Sequence, residues 1–344
     1  MRLQDSTRAY GGMSAVAAAA ALDTPWYFPH RVDKRSVGFI YLPLRDAQAA
    51  WNLDLSVGLR NYDAPRCSVP LDDVVARASN MRMHAQTPSL IFHSAFCCST
   101  LLARLLSVGR RCNAVKEPAV LDDLVYWRPR DDAWGRTVGA MLALLARRWF
   151  DDVPILVKAS DACSWIGLEL LTVQPEMRAM LVYSSLESFL VSSLRTTIRR
   201  VWCHERLHAI ARHAPHLLPE SQWDASRDEQ VAAAVWLAQM RAYVRVTSQI
   251  GPERVRTLDG RRLPAEPTRV VDAVAAHCEL GRTANGVDQC ALASVLARHA
   301  KSGGPFRPSV YEAARVRFAK QVARGLEWAE PQAKVLQLPA SHAL

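Results

Sequence analysis

Short apolar segments alternate with longer amphipathic segments from residue 88 to residue 260, and this alternation constrains the fold more than any other feature. The segments predicted to be strands occupy residues 88–94, 112–118, 153–160, 177–185 and 254–260. A helical pattern follows each of the first four strands, which is typical of parallel strands joined by crossover helices. The sequence therefore predicts an α/β fold with a parallel β-sheet flanked by helices. Ligands of such sheets bind beyond the carboxyl ends of the strands.

The chain on either side of this alternation is predicted to fall into distinct regions. Residues 1–35 are interpreted as a leader, residues 36–87 as an N-terminal subdomain, and residues 88–330 as the main α/β domain. The further elements predicted from the sequence are a strand at 37–43, helices at 44–54 and 71–79, a loop at 64–70, and closing helices at 267–280 and 310–329.

The first strand of the main domain leads into the stretch IFHSAFCCSTLLARLL, residues 91–106. This stretch begins as a buried strand, turns through two cysteines and two hydroxyl residues, and continues as an amphipathic helix, as phosphate-binding proteins do. If the Walker A pattern GxxxxGK[ST] is aligned with its hydroxyl at Ser99, Phe92 and Cys97 stand at its glycines and Cys98 stands at its lysine. The stretch therefore predicts an anion site and argues against Mg²⁺-dependent hydrolysis of ATP or GTP.

The charge of the chain is compatible with an anionic ligand. The net charge of +10 and the pI of about 9.4 favour nucleotides and sulfated or phosphorylated molecules. A surface of solvated arginines explains the same excess equally well, since no dense basic run stands out. Only six basic residues are lysines. Of these, Lys116 and Lys158 end the second and third predicted strands, and Lys301 precedes an SGGP loop, so they are the cations closest to the predicted ligand edge.

Residues 96–102 resemble the 5′-phosphosulfate loop of sulfotransferases that use 3′-phosphoadenosine 5′-phosphosulfate (PAPS). In that family, a Lys or Arg is followed by Ser-Gly-Thr-Thr and by two large apolar residues, between a strand and a helix. Here Ser99 and Thr100 keep the two hydroxyls, and two leucines keep the apolar pair. The family's glycine is replaced by Cys98 and its cation by Phe96.

The resemblance implies a P-loop NTPase-like three-layer sandwich with helical C-terminal additions. It also implies transfer of a sulfuryl group from PAPS to a hydroxyl or amine of a small-molecule, glycan or peptide acceptor. Cys97, Cys98, Ser99 and Thr100 would bind the donor through hydroxyls and through N–H groups at the helix N-terminus. The small side chain of Cys98 leaves room for the anion if its φ angle is negative.

A second part of the resemblance concerns the 3′-phosphate of the donor. The stretch RAMLVYSSLESFLVSSL is similar to the family's strand and helix at this phosphate, where an Arg follows the strand and a Ser comes eight residues later. Here Ser184 stands at the Arg position and Ser192 at the Ser position. Arg195 and Arg199 share a helix face with Ser192 and would replace the missing arginine. Lys301 lies where the family has a basic loop at the same phosphate.

Sulfuryl transfer requires a base for the acceptor and cations for the leaving phosphate. Some members of the family use a glutamate in the region of Glu117, so Glu117 is the predicted base, with His93 and Asp161 as alternatives. Lys116 or Lys158 would supply the cation that is missing from the loop. An ion pair of Glu117 with Lys116 or an arginine explains the same glutamate equally well.

Other classes of function follow from the same features. A phosphatase-type thiolate would need an arginine five residues after the cysteine, and Leu102 and Ala103 stand there instead, so this class is rejected. Nucleic-acid binding is allowed by the charge, but no basic stretch interleaved with aromatic residues supports it. A degenerate P-loop protein that binds a nucleotide without catalysis, or a kinase-like nucleotide enzyme, remains the alternative.

The remaining predictions concern metals, compartment and membranes. Eight scattered cysteines without a CxxC pair argue against a structural zinc site and a disulfide framework, so no metal site is predicted and the thiols are expected to be reduced, in the cytoplasm. No segment approaches the roughly 18 apolar residues of a membrane span. The predicted partners are therefore an acceptor molecule and neither nucleic acid nor a membrane, and the oligomeric state is left open.

Overall fold

Two β-sheets organise the part of the chain that the computed structural model describes. The described residues are 11–12, 21–43, 64–82, 87–150, 153–281, 288–301, 303–305 and 307–344. In chain order the strands are β1 (Gly11–Gly12), β2 (Tyr27–Val32), β3 (Ser36–Tyr41), β4 (Arg66–Pro70), β5 (Ser89–His93), β6 (Asn113–Lys116), β7 (Ile155–Lys158), β8 (Ala179–Tyr183) and β9 (Val255–Asp259).

Helices connect and cover these strands. The α-helices are α1 (Leu71–Arg82), α2 (Ser99–Leu106), α3 (Ala119–Tyr126), α4 (Asp132–Leu145), α5 (Gly167–Val173), α6 (Leu186–Leu194), α7 (Thr197–His213), α8 (Asp228–Thr247), α9 (Arg262–Ala265), α10 (Pro267–His277), α11 (Gln289–Leu296), α12 (Pro308–Arg317) and α13 (Ala319–Ala333). Short 3₁₀ helices occupy Val108–Arg110, Asp161–Ile166, Pro215–Leu217 and Ala340–His342. Within the described ranges, none of the helices combines the length and the apolar character needed to cross a bilayer.

The larger sheet has five parallel strands in the order β6-β7-β5-β8-β9. By position along the chain, this order is second, third, first, fourth, fifth. The order reverses at β5, so the connections after β5 and β7 diverge and open a crevice at the carboxyl edge, where α/β sheets bind ligands. The predicted α/β fold with a parallel sheet is confirmed, and all five predicted strands are present.

Both faces of this sheet are buried under helices. Leu90 and Phe92 of β5 belong to one apolar core, and Ile91 between them belongs to a second core on the opposite face. The second core also contains Leu102 and Leu105 of α2, while the first contains residues of α4, α6 and α8. Strands that are buried on both faces are near-continuously apolar, which explains why the sequence shows no alternation there. The three-layer sandwich and its C-terminal helical additions are thus confirmed.

The smaller sheet has the order β1-β4-β3-β2 and precedes the main domain in the chain. The predicted loop at 64–70 is wrong, because residues 66–70 form strand β4, paired antiparallel with β3. The prolines that suggested a loop lie at the borders of the strand, where they are tolerated, and Cys67 and Val69 alternate inward between them. The predicted helix at 44–54 lies outside the described residues.

Polar contacts join this sheet to the main domain. The buried guanidinium of Arg147 donates to the main-chain oxygens of Leu22 and Tyr27, and the carboxylate of Asp123 accepts from Arg31 at 2.9 Å. The predicted leader boundary at residue 35 falls between β2 and β3, which pair as a hairpin. The division into leader, subdomain and main domain remains a prediction.

Two long helical predictions are each divided in the structure. The segment predicted at 310–329 forms α12 and α13, and the helical pattern that follows the fourth predicted strand, residues 186–202, forms two helices, α6 and α7. Thr196 is the N-cap residue of α7, with its hydroxyl accepting from the N–H of Arg199 at 3.4 Å. A side-chain cap satisfies N–H groups that a continuous helix would pair internally, so it starts a new helix at this point.

Candidate functional site

The turn between β5 and α2 is conformationally strained. Ala95, Phe96 and Cys98 have φ angles of 59°, 48° and 63°, in the left-handed region that favours glycine. Each such non-glycine residue costs about 1 kcal/mol or more. The condition under which Cys98 would leave room for the anion, a negative φ angle, is therefore not met. Cys98 is the N-cap of α2, and its backbone adopts a conformation that glycine adopts without steric cost.

Contacts from neighbouring elements hold the turn in this conformation. The main-chain oxygen of Val182 in β8 accepts from the N–H of Ser94 at 3.0 Å and from the thiol of Cys97 at 3.4 Å. The hydroxyl of Tyr243 in α8 donates to the same oxygen at 3.2 Å. Gly260, directly after β9, packs against the main chain of Cys97. The turn is thus braced by the strands and helices on the β8 side of the sheet.

Replacing Cys98 with glycine is expected to stabilise the fold slightly. The variant removes about 1–2 kcal/mol of left-handed strain, while the greater entropy of the unfolded chain costs about 0.4–1 kcal/mol, so the net gain in unfolding free energy is about 0–1.6 kcal/mol. Cys290→Gly, in the helix α11, is the matched control and should lose about 0.5–1 kcal/mol. Urea denaturation of both variants measures the difference, and a clear loss of stability in Cys98→Gly would contradict the strain.

The N-terminus of α2 presents polar groups toward the ligand edge of the sheet. Ser99 and Thr100 are buried in its first turn. Backbone N–H groups of a first turn have no intrahelical partner and attract anions. The hydroxyl of Ser94 is fully buried and has no hydrogen-bond partner among the described residues. This set of donors suits a phosphate or sulfate group.

A buried charged triad lies beside the turn, at the ends of β5, β6 and β7. Lys158 is completely buried, and its Nζ contacts the Oε1 of Glu117 and lies 3.1 Å from the Nε2 of His93. The Nε2 of His93 is 3.5 Å from the same Oε1, while its Nδ1 accepts from the N–H of Ala95 at 3.2 Å. The ion-pair partner of Glu117 is therefore Lys158, one strand away from Lys116.

The triad has a defined charge state near neutral pH. Burial alone would raise the pKa of Glu117, but the charge of Lys158 and the hydrogen bond from His93 hold that pKa well below its usual range. Burial and the charge of Lys158 lower the pKa of His93. Glu117 is thus anionic and His93 neutral. The carboxylate of Glu117 therefore holds the side chain of Lys158 at the ligand-binding edge of the sheet.

Lys116 lies next to this triad in the sheet. It is buried, and it pairs in register with Lys158 across β6 and β7, so both lysines occupy the same face of the sheet. Glu117, which follows, has a left-handed φ of 49° and donates its N–H to the main-chain oxygen of Lys158 at 2.6 Å. The backbone therefore turns sharply to bring the Glu117 carboxylate back to Lys158.

A second group of cations gathers around His299. Besides burial, the charges of Arg195, Arg199, Arg104 and Lys301 lower the pKa of His299. These residues come from α2, from the junction of α6 and α7, and from the segment after α11. The structure thus brings together Arg195 and Lys301, which are more than 100 positions apart in the sequence.

Arg199 lies on the aromatic ring of Phe96, beside the turn. Its Cζ lies 4.5 Å from the centre of the Phe96 ring, and its Nη1 donates to the main-chain oxygen of Ser192 at 2.8 Å. Partial burial lowers its pKa to about 10, so it stays charged. A guanidinium on an aromatic face is held by a cation–π attraction. Phe96 therefore positions a cation beside the turn instead of supplying one.

Two polar residues beyond the triad, Asp122 and Ser160, were not named as site residues by the sequence analysis. The carboxylate of Asp122 in α3 accepts from the hydroxyl of Ser160, two residues after Lys158. Asp161, an alternative for the base, is paired with Arg206 at 2.8 Å. The available signal was position, since Asp122 and Ser160 follow the two strands that carry the lysines.

The two adjacent cysteines are not activated thiols. Burial raises the pKa of Cys97, although N–H and hydroxyl groups around its sulfur act in the opposite direction. A buried cysteine with a raised pKa is a poor nucleophile. This agrees with the rejection of a phosphatase-type mechanism.

A separate cavity of about 160 Å³ lies at the opposite edge of the sheet, at the amino ends of β5 and β7. Its lining includes Thr87, Ser89, Glu176 and Arg178. None of the residues in the triad or the turn lines it. The chemistry predicted from the sequence therefore lies at the carboxyl edge and not in this cavity.

Comparisons with family models, curated proteins and solved structures gave matches among the solved structures. No protein-family model and no curated protein matches the chain. Among solved structures, the chain is similar to a sulfotransferase from Alicyclobacillus acidocaldarius, with 16% identity and a TM-score of 0.31, over 71% of this chain and 96% of that chain. It is also similar to the sulfotransferase domain from the curacin biosynthetic pathway, with 14% identity and a TM-score of 0.35, over 74% of this chain and 93% of that chain. Both of these solved structures are sulfotransferases. The α/β sandwich of this chain is established by its own strands and helices.

Proposed function

We propose that this protein transfers a sulfuryl group from PAPS to a hydroxyl or amine of an acceptor. The observation that carries the proposal is the completely buried Lys158, held by Glu117 and His93 beside a hydroxyl-lined helix N-terminus at the point where the strand order reverses. A cation at such a site is suited to neutralise charge that develops on a leaving phosphate.

The 5′-phosphosulfate of the donor would bind at the turn. Cys97 and Cys98 would contribute main-chain N–H groups, and Ser99 and Thr100 would contribute N–H groups and hydroxyls. Lys158 would face the bridging oxygen between phosphate and sulfuryl group. The donor set of N–H, hydroxyl and ammonium groups fits the oxygens of a phosphosulfate.

The 3′-phosphate would bind on the β8 side. Arg195, Arg199 and Lys301 form the cationic group there, and Ser192 is linked to it because its main-chain oxygen accepts from Arg199. Arginine binds phosphate through paired N–H donors. A site of this kind would distinguish a 3′-phosphorylated nucleotide from AMP.

Catalysis in this proposal depends on positioning and charge, as in other group transfers to an in-line acceptor. Lys158, with Lys116 beside it, would neutralise the leaving phosphate. Glu117 is the base predicted from the sequence, and its contact with Lys158 also orients that cation. The acceptor would approach from the β6 and β7 side, because the cations for the 3′-phosphate lie on the β8 side.

The alternative is a kinase-like or non-catalytic nucleotide-binding protein. It is favoured by Phe96 in place of the loop cation. A cytoplasmic location belongs to the proposal as well, supported by eight cysteines that are all free thiols in the structure.

Calorimetric binding of adenosine 3′,5′-bisphosphate, AMP and ATP tests the proposal, with and without Mg²⁺. We expect metal-independent binding of the bisphosphate, about 100-fold tighter than AMP because of the charge-assisted contacts to the 3′-phosphate. Arg199→Met should reduce this preference about tenfold or more, and Ser99→Ala should weaken all adenosine 5′-phosphates. Binding of ATP that requires Mg²⁺ would favour the kinase-like alternative, and no binding would contradict both.

A further inference from the structure

The order of the strands gives the proposed active site a direction. Along the carboxyl edge, β8 leads into α6, which contains Ser192 and ends at Arg195, β5 leads into the turn, and β7 and β6 end at Lys158 and just before Glu117. If the donor lies across this edge as proposed, its sulfuryl end points toward β7 and β6. The residue that deprotonates the acceptor is therefore expected beyond Lys158, on that side.

Glu117 is poorly suited to be this base. Its Oε1 is shared between Lys158 and His93, and the same contacts hold its pKa well below the usual range. A general base works best when its pKa is near the operating pH. A carboxylate this strongly stabilised as an anion binds a proton weakly at pH 7. Its contacts suit it to hold Lys158 in position.

Asp122 lies farther along the same edge and is free of these contacts to lysine. It is in α3, the helix that Pro118 begins directly after Glu117, and it is partly exposed. Its carboxylate accepts from the hydroxyl of Ser160, which follows β7. Tyr126, one turn later on the same helix face, is 40% exposed. This face of α3 therefore reaches the surface next to the triad.

The surroundings of Asp122 give it the proton affinity of a base near neutral pH. Burial and the charges of Asp161 and Glu117 raise the pKa of Asp122 to about 7, although the hydrogen bond from Ser160 and the charge of Arg206 act in the opposite direction. The titratable and charged groups that face Asp122 are Glu117 and Tyr126 on its own side, Asp161 and Cys163 after β7, and Arg206 from α7.

We propose that Asp122 is the general base that removes the proton from the acceptor, and that Ser160 orients its carboxylate. This inference rests on the proposed function. In the transfer step, the acceptor's O–H or N–H bond breaks and its proton moves to a carboxylate oxygen of Asp122. The acceptor atom forms a bond to sulfur as the bond between sulfur and the 5′-phosphate oxygen breaks. The electron pair of that bond stays on the phosphate, beside Lys158, and Asp122 later releases its proton to water.

The test is the pH dependence of acceptor-dependent turnover, with PAPS and a panel of 2-naphthol, a monosaccharide and a primary alkylamine. In the wild type, kcat should rise with pH through about 7, because Asp122 must be deprotonated. Asp122→Asn should lose this rise and lower kcat by about 10²–10⁴-fold, and Ser160→Ala should reduce kcat while keeping the rise. Glu117→Gln should keep the rise, and so should the control Asp123→Asn, whose carboxylate contacts Arg31 at the small sheet. If Asp122→Asn keeps the pH dependence, or if Glu117→Gln alone removes it, the inference is overturned.

Two further measurements separate this inference from the proposed function. Asp122→Asn should bind adenosine 3′,5′-bisphosphate as the wild type does, with a Tm that is unchanged or about 1–3 °C higher at pH 8, since it removes a partly buried charge. Failure of the wild type to bind the bisphosphate would overturn the proposed function. If no acceptor in the panel reacts, carboxyl NMR decides the question. The signal of Asp122 is identified as the one that is missing from the spectrum of Asp122→Asn. Titration of that signal near pH 7 supports the inference, and titration near pH 4 overturns it.

Discussion

Replacing Lys158 with methionine is expected to lower kcat for sulfuryl transfer by about 10²–10³-fold, the range seen when one preorganised electrostatic donor is removed from an active site. Methionine keeps the length of the side chain but not its charge. The leaving phosphate would then develop its charge beside Glu117 without the cation that now compensates it. Steady-state release of adenosine 3′,5′-bisphosphate measures the loss.

The same substitution should also destabilise the fold, and a double variant separates the two effects. Lys158→Met leaves the Glu117 carboxylate, 14% exposed, without its partner, which costs about 3–5 kcal/mol. Adding Glu117→Gln removes that isolated charge and should recover most of the Tm without recovering activity. A double variant that regains both would show that Lys158 serves stability alone. Lys320→Met, at an exposed position of α13, is the matched control and should change neither property.

The pH dependence of stability follows from the sign of the Glu117 shift. The pKa of Glu117 is lower in the folded protein than its ordinary value of 4.5. Its contribution to stability is therefore present above about pH 4.5 and is lost as the pH falls through the folded pKa. The double variant should lack this acid-dependent loss of stability, which denaturation at pH 3 and pH 7 would show.

Replacing Gly260 with alanine is expected to be the most damaging small substitution near the site. A Cβ there would lie 2.1 Å from the main-chain oxygen of Cys97 and 3.4 Å from that of Tyr183. The N–H of Gly260 also donates to Tyr183 at 2.8 Å, so the backbone cannot withdraw without breaking a bond. Because both obstacles are main-chain atoms, we expect a loss of about 3 kcal/mol or more in unfolding free energy.

The Gly260→Ala substitution should also weaken ligand binding, because the main-chain oxygen that the new Cβ would displace belongs to Cys97 in the turn. Binding of adenosine 3′,5′-bisphosphate should weaken at least tenfold at temperatures where the variant is still folded. Gly251→Ala is the matched control, since its new Cβ would meet only the side chain of Glu253, which is exposed and can rotate away. Equal stability and equal affinity of the two variants would show that the turn yields at Cys97 and is not braced by Gly260.

Much of the main domain could be predicted from local patterns. The five strands of the larger sheet appear where apolar runs bounded by proline or polar residues predicted them. The predictions were wrong where a local signal was ambiguous. The prolines around β4 resembled loop residues, and the continuous apolar pattern after Leu186 gave no sign that Thr196 caps a new helix. The strand β4 depends on pairing with β3, which is distant in the chain, whereas the cap at Thr196 is a local contact within a continuous apolar pattern.

The candidate site was predicted in part, by the rule that ligand-binding residues follow the strands. Lys158, Lys116 and Glu117 were named on this basis, and their roles remain predictions. The pairing of Glu117 was expected with Lys116 or an arginine, and the structure places it on Lys158 because the left-handed φ at Glu117 turns the chain back toward β7. No periodicity in a sequence signals such a turn at a glutamate.

The sequence by itself determined the class of fold, the position of the strand–turn–helix unit and the list of residues that could contact an anion. These depend on apolar periodicity and on residue types, which are local properties. The tertiary structure decided which of those residues meet. It placed Arg199 on the ring of Phe96, gathered Lys301 with Arg195, and set Asp122 against Ser160. Such contacts join residues far apart in the chain, and their geometry follows from the order of the strands and the packing of helices on both faces, which local patterns do not specify.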